Sequence, residues 1–119
     1  MIQEEWKSKI KKISIEAGTY KPFFDEIINQ LAQILEIRDN AVSEFRQSGN
    51  KPVIIHTNKG GHSNIVKNPA LVVINESNQQ ALAYWRELGL TPSGYKKLNG
   101  ETIEKHDTTF EDALAKIGV

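Results

Sequence analysis

The chain contains no cysteine, which excludes disulfide bonds and thiolate metal sites. No apolar run approaches the ~20 residues that a membrane-spanning helix requires. The opening residues, MIQEEWKSKI, carry acids early and no apolar core of the kind that a secretion signal has. These absences predict a soluble, intracellular protein that does not enter a membrane. The 119 residues, 39% of them hydrophobic, suffice for one compact domain with a lean core.

The motifs that carry catalysis or bind cofactors are missing as well. The chain has neither the phosphate-binding loop G-x-x-x-x-G-K-[ST] nor the dinucleotide fingerprint G-x-G-x-x-G. No serine has a base partner that sequence spacing identifies. Glu76 and Glu87 share a predicted helix but lie about three turns apart, which is too far for an acid–base pair. We therefore expect a protein that is not an enzyme and needs no cofactor.

The histidines give only weak support for a metal site. His56 and His62 flank a predicted hairpin turn and could approach one another. A metal ion would need at least one further ligand, such as Asn58, Asn64 or a distant acid. We expect two exposed histidines and no metal ion.

Charge is balanced over the whole chain but unevenly distributed along it. The net charge is zero at neutral pH. Residues 49–68 hold three lysines and no acid, residues 89–100 carry a net charge of +2, and residues 101–119 carry −3. Such segregation can orient a neutral protein on an anionic partner, although loops and tails also carry charge simply because it is well solvated.

Apolar spacing predicts a short helix at the N-terminus. Apolar residues recur there at intervals of four and three, as they do on one face of a helix. These residues are Ile2, Trp6, Ile10 and Ile13. So narrow a stripe is marginal in isolation, and we expect residues 1–19 to form a helical arm that docks on another surface.

A second, much longer helix is predicted next. Thr19 is placed to cap it, Pro22 falls in its first turn, and Gly49 is a plausible residue to end it. Apolar residues keep the helical period over about seven turns, with Arg38 as an interruption. The stripe comprises Tyr20, Phe24, Ile27, Ile28, Leu31, Ile34, Leu35, Val42 and Phe45.

The segment KPVIIHTNKGGHSNIVKN then changes character. Val53, Ile54 and Ile55 are β-branched, and NKGG supplies residues that tolerate positive φ in a turn. SNIVK can form the return strand. We predict a small β-hairpin or an ordered loop at residues 50–67. Because two strands alone are only marginally stable, we expect them to pack against the helices.

Asn68 followed by Pro69 is typical of a helix start, and Gly89 is typical of a helix end. The spacing of apolar residues predicts which face of this helix is buried. The predicted stripe is Leu71, Ile74, Asn78, Ala81, Leu82, Trp85 and Leu88.

The stretch LGLTPSGYKKL predicts a short further helix. Thr91 is its expected N-cap, Pro92 its first residue and Leu98 its close. Leu90 and Tyr95 are spaced to form a hydrophobic staple across the helix start. The stretch therefore sets a fixed angle between two consecutive helices.

The acidic tail carries one more helical signal. Thr109 and Asp112 resemble a capping box, with aspartate in place of the usual glutamate. Phe110, Leu114 and Ile117 then share one face. Nine residues are too few for a stable isolated helix, so this segment packs on the body or folds on a partner.

Together these elements predict a mainly α fold in three parts. A helical core domain spans residues 20–98 and carries the hairpin or ordered loop as an insert at residues 50–67. An N-terminal helical arm at residues 1–19 precedes it, and an acidic C-terminal tail with a short helix at residues 99–119 follows it.

Nucleic-acid binding is the function that the residues favour. The basic positions of the hairpin and the short helix are Lys51, Lys59, Lys67, Lys96 and Lys97. If the fold brings these two segments to one side, they form a patch for DNA phosphates. Many copies in a ring would add such contacts. Specific base readout is not indicated, because arginine, the commonest base reader, is scarce.

Self-association is expected for a chain with so thin a core. An oligomer would bury two apolar groups better than a single chain does: the apolar face of the N-terminal helix and an aromatic residue beside the core stripe. The candidate interface residues are Trp6, Ile10, Tyr84 and Tyr95.

The stretch from NPAL to ALAYWRELGLTPSGYKKL resembles the small terminase subunits of tailed bacteriophages, of the group called the P27 family. The resemblance covers roughly residues 20–98. Its most specific element is LGLTPS after a helix that opens with Asn68 and Pro69. Relatives usually continue with another small residue and an arginine, whereas this chain has Gly94 and Tyr95.

The resemblance implies a non-enzymatic DNA-packaging protein of the host bacterial cytoplasm. Such subunits form homo-oligomeric rings, bind the packaging-initiation region of the double-stranded viral genome and recruit the large terminase subunit, which holds the ATPase and the nuclease. In that setting the Phe110, Leu114 and Ile117 face of the tail is a candidate contact for the large subunit.

Two other functions compete with this one. A small dimeric transcription regulator could use the helices joined by LGLTP as a helix-turn-helix, although residues 91–98 are short for reading a DNA groove. A metal-dependent nuclease built on His56 and His62 is the weaker alternative.

Overall fold

The computed structural model describes residues 1–99, which form a mainly α body that carries one β-hairpin. A 3-10 turn at Pro22–Phe24 leads into the second helix. The elements are, in order, α1 (Gln3–Ala17), α2 (Asp25–Gln47), β1 (Val53–Thr57), β2 (Ser63–Lys67), α3 (Pro69–Glu87) and α4 (Pro92–Asn99). The predicted fold class is confirmed, and the insert is a hairpin. The predicted helix at Phe110, Leu114 and Ile117 lies outside the described residues.

The hydrophobic core lies between α1, α2 and the second half of α3. Leu31 and Leu35 of α2 have no solvent exposure, and Leu88 closes the same core from the end of α3. Ile10 and Ile13 of α1 belong to this cluster. The N-terminal helix is therefore packed into the body of the single chain.

Helices α2 and α3 run side by side in opposite directions. At one end, the Asn68 side chain donates to Ser48 Oγ at 3.2 Å, so the start of α3 meets the end of α2. Further along, the Tyr84 hydroxyl donates to Gln30 Oε1 at 2.8 Å. The hairpin therefore lies at one end of this helix pair, and the start of α2 lies with the end of α3 at the other.

The junction between α1 and α2 differs from the prediction. Thr19 does not cap α2, because its side chain is buried and its hydroxyl donates back to the Ser14 carbonyl at 3.4 Å. Gly18 ends α1 in the left-handed conformation, with φ of 76°. Lys21 then occupies the N-cap position before the 3-10 turn that Pro22 opens. The predicted end of α2 is confirmed, since Gly49 has φ of 85° just after it.

The buried face of α3 is also displaced from the predicted stripe. Asn78 and Leu82 are exposed, although both were expected inside. Ala81 and Leu88 are buried as predicted, whereas Ser77 is buried although it was not expected inside, and Tyr84 is partly buried against the core. The prediction was wrong here because small residues form the contact with α2, and a hydrophobicity pattern gives them little weight.

Trp6 fastens α1 to α2. Its indole Nε1–H donates to Asp39 Oδ2 at 2.7 Å. Lys9 and Arg38 place their cationic groups 5.1 and 5.5 Å from the centre of the Trp6 ring, within cation–π range. Arg38, which interrupts the apolar stripe of α2, also pairs with Asp39 at 3.0 Å. Arg38 and Asp39 of α2 therefore both help to hold α1 in place.

No helix within residues 1–99 is long and apolar enough to span a membrane.

Candidate nucleic-acid interface

The hairpin is an antiparallel pair of five-residue strands. Ile55 lies opposite Ile65, and Thr57 lies opposite Ser63 at the last pair before the turn. The Asn58 side chain accepts hydrogen bonds from the backbone of Gly60 and His62, which closes the turn. The NKGG residues, which the sequence analysis expected to form a turn, therefore do form it. Lys59 lies at the tip of this turn.

Asn68 anchors the hairpin to both helices. Its side-chain oxygen accepts from the Ala70 N–H at 3.0 Å, which is the predicted capping contact. Its amide nitrogen donates to Ser48 Oγ and to the Lys51 carbonyl, the latter at 2.9 Å. Its backbone N–H donates to the Pro52 carbonyl. One buried residue therefore joins the end of α2, both ends of the hairpin and the start of α3.

The two faces of the hairpin differ in exposure. Ile54 and Val66, which are paired, are half-buried on one face. On the other face Val53 is 50% exposed, Ile55 74% and Ile65 76%. Side chains two residues apart on a strand share a face, and directly paired residues share it as well. The three exposed residues therefore form one apolar face, which we call the open face.

The hairpin end of the molecule is basic. Lys51, Lys59 and Lys67 are all exposed, as is Arg46 in the last turn of α2. No aspartate or glutamate occurs between Glu44 and Glu76 in the sequence. An acid-free segment with exposed cations attracts an anionic polymer such as DNA. The basic residues predicted for this group did not include Arg46. The acid-free stretch that begins directly after Glu44 contains it, and this extent can be read from the sequence.

Lys96 and Lys97 do not join this group. Both are exposed on α4, which follows α3 at the end opposite the hairpin. A 19-residue helix is about 28 Å long, so α3 alone separates the two sets of lysines by roughly that distance. A single chain therefore presents two cationic groups, and the five lysines do not form the one patch that the sequence suggested.

Glycines determine how α4 packs on the end of α3. Gly94 lies so close to the Arg86 carbonyl that a β-carbon would overlap it. Gly89 has φ of 74°, and a β-carbon there would lie 2.6 Å from Leu98 and 3.1 Å from Thr19. Thr91 Oγ1 accepts from the Gly94 N–H at 3.1 Å, as expected of an N-cap. The LGLTPSG stretch thus requires glycine at two positions, Gly94 because of its close approach to the Arg86 backbone and Gly89 because of its positive φ.

The predicted interface residues lie mostly inside the single chain. Ile10 is fully buried, and Tyr95 is only 3% exposed, so neither offers its side chain to a second copy. Trp6 and Tyr84 are half-buried and hydrogen-bonded to Asp39 and Gln30 respectively. The interface therefore stays a prediction, because aromatic and aliphatic residues beside a predicted stripe can serve either the internal core or an interface.

His56 and His62, the two histidines within residues 1–99, do not gather into a metal site. His56 pairs with Asn64 across the strands, whereas His62 belongs to the turn. Within the part of the chain that the structure describes, no three residues of the metal-ligating types come together.

Comparison with known protein families returned a match over most of the chain. Residues 3–105 match the family described as phage terminase, small subunit. Searches of curated proteins and of solved structures returned no match. The family match covers most of the chain and extends beyond the stretch on which the resemblance in the sequence rests. The narrower assignment to the P27 group stays a prediction.

Proposed function

Because the chain belongs to the family of phage terminase small subunits, whose role is phage DNA packaging, we propose that its hairpin binds double-stranded viral DNA. The observation that carries this proposal is the exposed, acid-free hairpin with Lys51, Lys59 and Lys67. The lysines of the hairpin bind phosphates and release counterions, which makes binding salt-dependent.

The lysines of α4 are a second, separate DNA-binding group in this proposal. Lys96 and Lys97 are adjacent and exposed, and α4 carries no acid. One copy binds few phosphates, so its affinity for DNA is low. A homo-oligomeric ring would repeat both groups around the assembly, and the repetition would raise the avidity.

The family match also supports the remaining parts of the proposal. The chain acts without catalysis in the host bacterial cytoplasm, binds the packaging-initiation region of the genome and recruits the large terminase subunit. Its acidic segment binds that subunit through Phe110, Leu114 and Ile117. The apolar helical face that the sequence predicts there would suit a groove on a partner protein.

Replacing hairpin lysines tests whether the hairpin binds DNA. The double variant Lys59→Ala/Lys67→Ala is expected to bind DNA more weakly, because two phosphates no longer have a cationic partner. The plot of log affinity against log salt has a negative slope, and this slope should become less steep by about 0.9 for each phosphate that is no longer neutralised. Fluorescence anisotropy with a labelled duplex at several salt concentrations measures both quantities.

Two matched variants complete this experiment. Lys96→Ala/Lys97→Ala removes the same charge from α4 and reports on the second group. Lys12→Ala/Lys21→Ala removes it from exposed positions outside both groups and should leave the salt slope unchanged. If the hairpin variant and this last control weaken binding equally, net charge rather than the hairpin is responsible, and the proposal is wrong.

Deleting residues 105–119 tests recruitment of the large subunit. The shortened chain is expected to lose binding to the purified large subunit, because the proposed apolar docking face is gone. Its oligomeric state should stay the same, since the deletion leaves the core of α1, α2 and α3 intact. Co-sedimentation of the two subunits measures the binding, and undiminished binding would remove this role from the acidic segment.

A further inference from the structure

The open face of the hairpin, formed by Val53, Ile55 and Ile65, is not explained by DNA binding. Phosphates are recognised by lysines and gain nothing from two isoleucines that are about three-quarters exposed. Exposed apolar side chains on a two-stranded sheet with unpaired edges are a hazard for aggregation unless something covers them. The face therefore calls for an apolar occupant.

A second hairpin is a poor occupant for this face. Lys67 lies opposite Val53 in the register, so it shares the open face with the apolar residues. Each copy would bring its own Lys67 to the shared contact, and neither hairpin carries an acid to neutralise these two charges. Like charges facing each other across strands are destabilising, so the occupant should carry negative charge.

The segment of this chain at residues 101–119 has the complementary chemistry. It holds five acids and two lysines, for a net charge of −3. The sequence predicts that Phe110, Leu114 and Ile117 share one face of a short helix, next to Glu111 and Asp112. Its apolar residues match the isoleucines of the open face, and its acids match Lys67 and the neighbouring lysines.

The chain is long enough for this docking within one copy. The described residues end at Asn99 in α4, and Phe110 follows eleven residues later. Eleven extended residues reach about 36 Å at ~3.3 Å each. The hairpin begins beyond the far end of α3, a helix about 28 Å long, and Ile65 lies four residues before that helix, at most about 13 Å further. The fifteen residues from Asn99 to Leu114 reach about 50 Å when extended, which covers this span. No second copy is needed to bring the acidic segment to the open face.

We propose that the acidic segment at residues 101–119 docks on the open face of the hairpin in the same chain and competes with DNA for the hairpin lysines. The docking stands on the hairpin and the charge pattern, whereas the competition rests on the proposed function. A large subunit that captures Phe110, Leu114 and Ile117 would release the hairpin. Binding of that partner and binding of DNA would then reinforce each other.

Methyl NMR of the full-length chain tests the docking directly. With ¹³C-labelled isoleucine δ1-methyl groups, the variant Phe110→Ser/Leu114→Ser is compared with the unaltered chain in the absence of DNA. The signals of Ile55 and Ile65 are expected to shift, whereas those of the buried Ile10 and Ile28 should stay in place. Superimposable Ile55 and Ile65 signals in the two proteins would overturn the proposal.

Two further measurements make the result specific. Leu82→Ser changes an exposed apolar residue of α3 and should leave Ile55 and Ile65 unmoved; an equal shift in this control would overturn the assignment. Labelled variant chains are also mixed with unlabelled unaltered chains. A return of the Ile55 and Ile65 signals toward their original positions would mean that the segment comes from a neighbouring copy, which contradicts docking within one chain.

DNA binding by the same tail variant tests the competition. If the segment occupies the hairpin nine-tenths of the time, removing its apolar side chains should tighten DNA binding about tenfold. Unchanged affinity would overturn the competition. Failure of the NMR test alongside weaker binding by Lys59→Ala/Lys67→Ala would refute the docking and leave the proposed DNA binding standing, so the two failures are distinguishable.

Discussion

Asn68 shows how much a single residue contributes to the placement of the hairpin. In the sequence it is a helix cap before a proline. In the structure it is buried, and its side chain makes two hydrogen bonds beyond the cap, to Ser48 and to the Lys51 carbonyl. A buried polar side chain is costly unless it is paired, and here both the oxygen and the nitrogen of the Asn68 side chain have partners.

Replacing Asn68 should separate the cap from the anchor. Asn68→Ser keeps an oxygen that can cap α3 but removes the amide that reaches Ser48 and Lys51. We expect it to lower the free energy of unfolding by about 0.5–1.5 kcal/mol, because the part-buried hydrogen bond to the Lys51 carbonyl is lost. Asn68→Ala should cost about 1 kcal/mol more, since the cap is removed as well. Urea unfolding followed by circular dichroism measures both values.

An exposed asparagine of α3 serves as the control for these two variants. Asn75→Ala removes a side-chain amide from the surface of the helix and should leave stability the same or slightly higher. A Ser variant at position 68 as stable as the unaltered chain would show that Asn68 acts as a cap alone.

At the scale of elements, the polar contacts between α1 and α2 depend on the protonation state of the Asp39 carboxyl group. Partial burial by itself raises the pKa of Asp39. The hydrogen bond from Trp6, together with the hydrogen bond and the charge of Arg38, outweighs this effect, so the pKa of Asp39 lies below its usual range. The carboxylate form of Asp39 is therefore the form that the folded state favours.

The contribution of Asp39 to stability should disappear in acid. Its pKa is about 3.9 in an unfolded chain and lower in the folded one, so the stabilisation is fully present above the unfolded value. It vanishes as pH falls through the folded value. The difference in unfolding free energy between the unaltered chain and Asp39→Asn should therefore stay constant above about pH 5 and shrink as the pH falls below about 4. Urea unfolding at several pH values measures it.

Trp6→Phe provides the matched test of the cause. This variant keeps an aromatic ring on α1 but removes the indole N–H that donates to Asp39. Its pH dependence should be weaker than that of the unaltered chain. A stability difference for Asp39→Asn that stays constant across the pH range would contradict the assigned role of the carboxylate.

At the scale of the whole molecule, the positions of the two cationic groups bear on assembly. Lys59 and Lys67 lie at one end of α3, and Lys96 and Lys97 lie at the other. One DNA duplex meets many phosphates only if several copies present the same group to it. The regulator alternative depends instead on α4, whose eight residues give about two turns for reading a groove.

Native mass spectrometry at physiological salt distinguishes these two assemblies. The packaging function predicts one large closed oligomer, because weak binding by each copy must be repeated many times. A monomer or a dimer would contradict the ring and favour the regulator, with residues 91–98 as the first place to test for base readout.

Local sequence signals determined most of the element boundaries. Asn68 and Pro69 start α3, Gly49 and Gly89 follow helix ends, and β-branched residues around a glycine turn form the hairpin. Each of these signals acts within a few residues of the backbone that it shapes. They are therefore readable without knowledge of what packs nearby.

Only the tertiary structure decided which faces are buried and which groups meet. Ser77 is buried and Leu82 is exposed because the face of α3 that packs inward carries small side chains. Tyr95 is internal because α4 folds closely onto the end of α3, and the lysines of hairpin and α4 stay apart because α3 lies between them. These outcomes depend on how whole helices pack, and the spacing of residues along one helix does not contain that information.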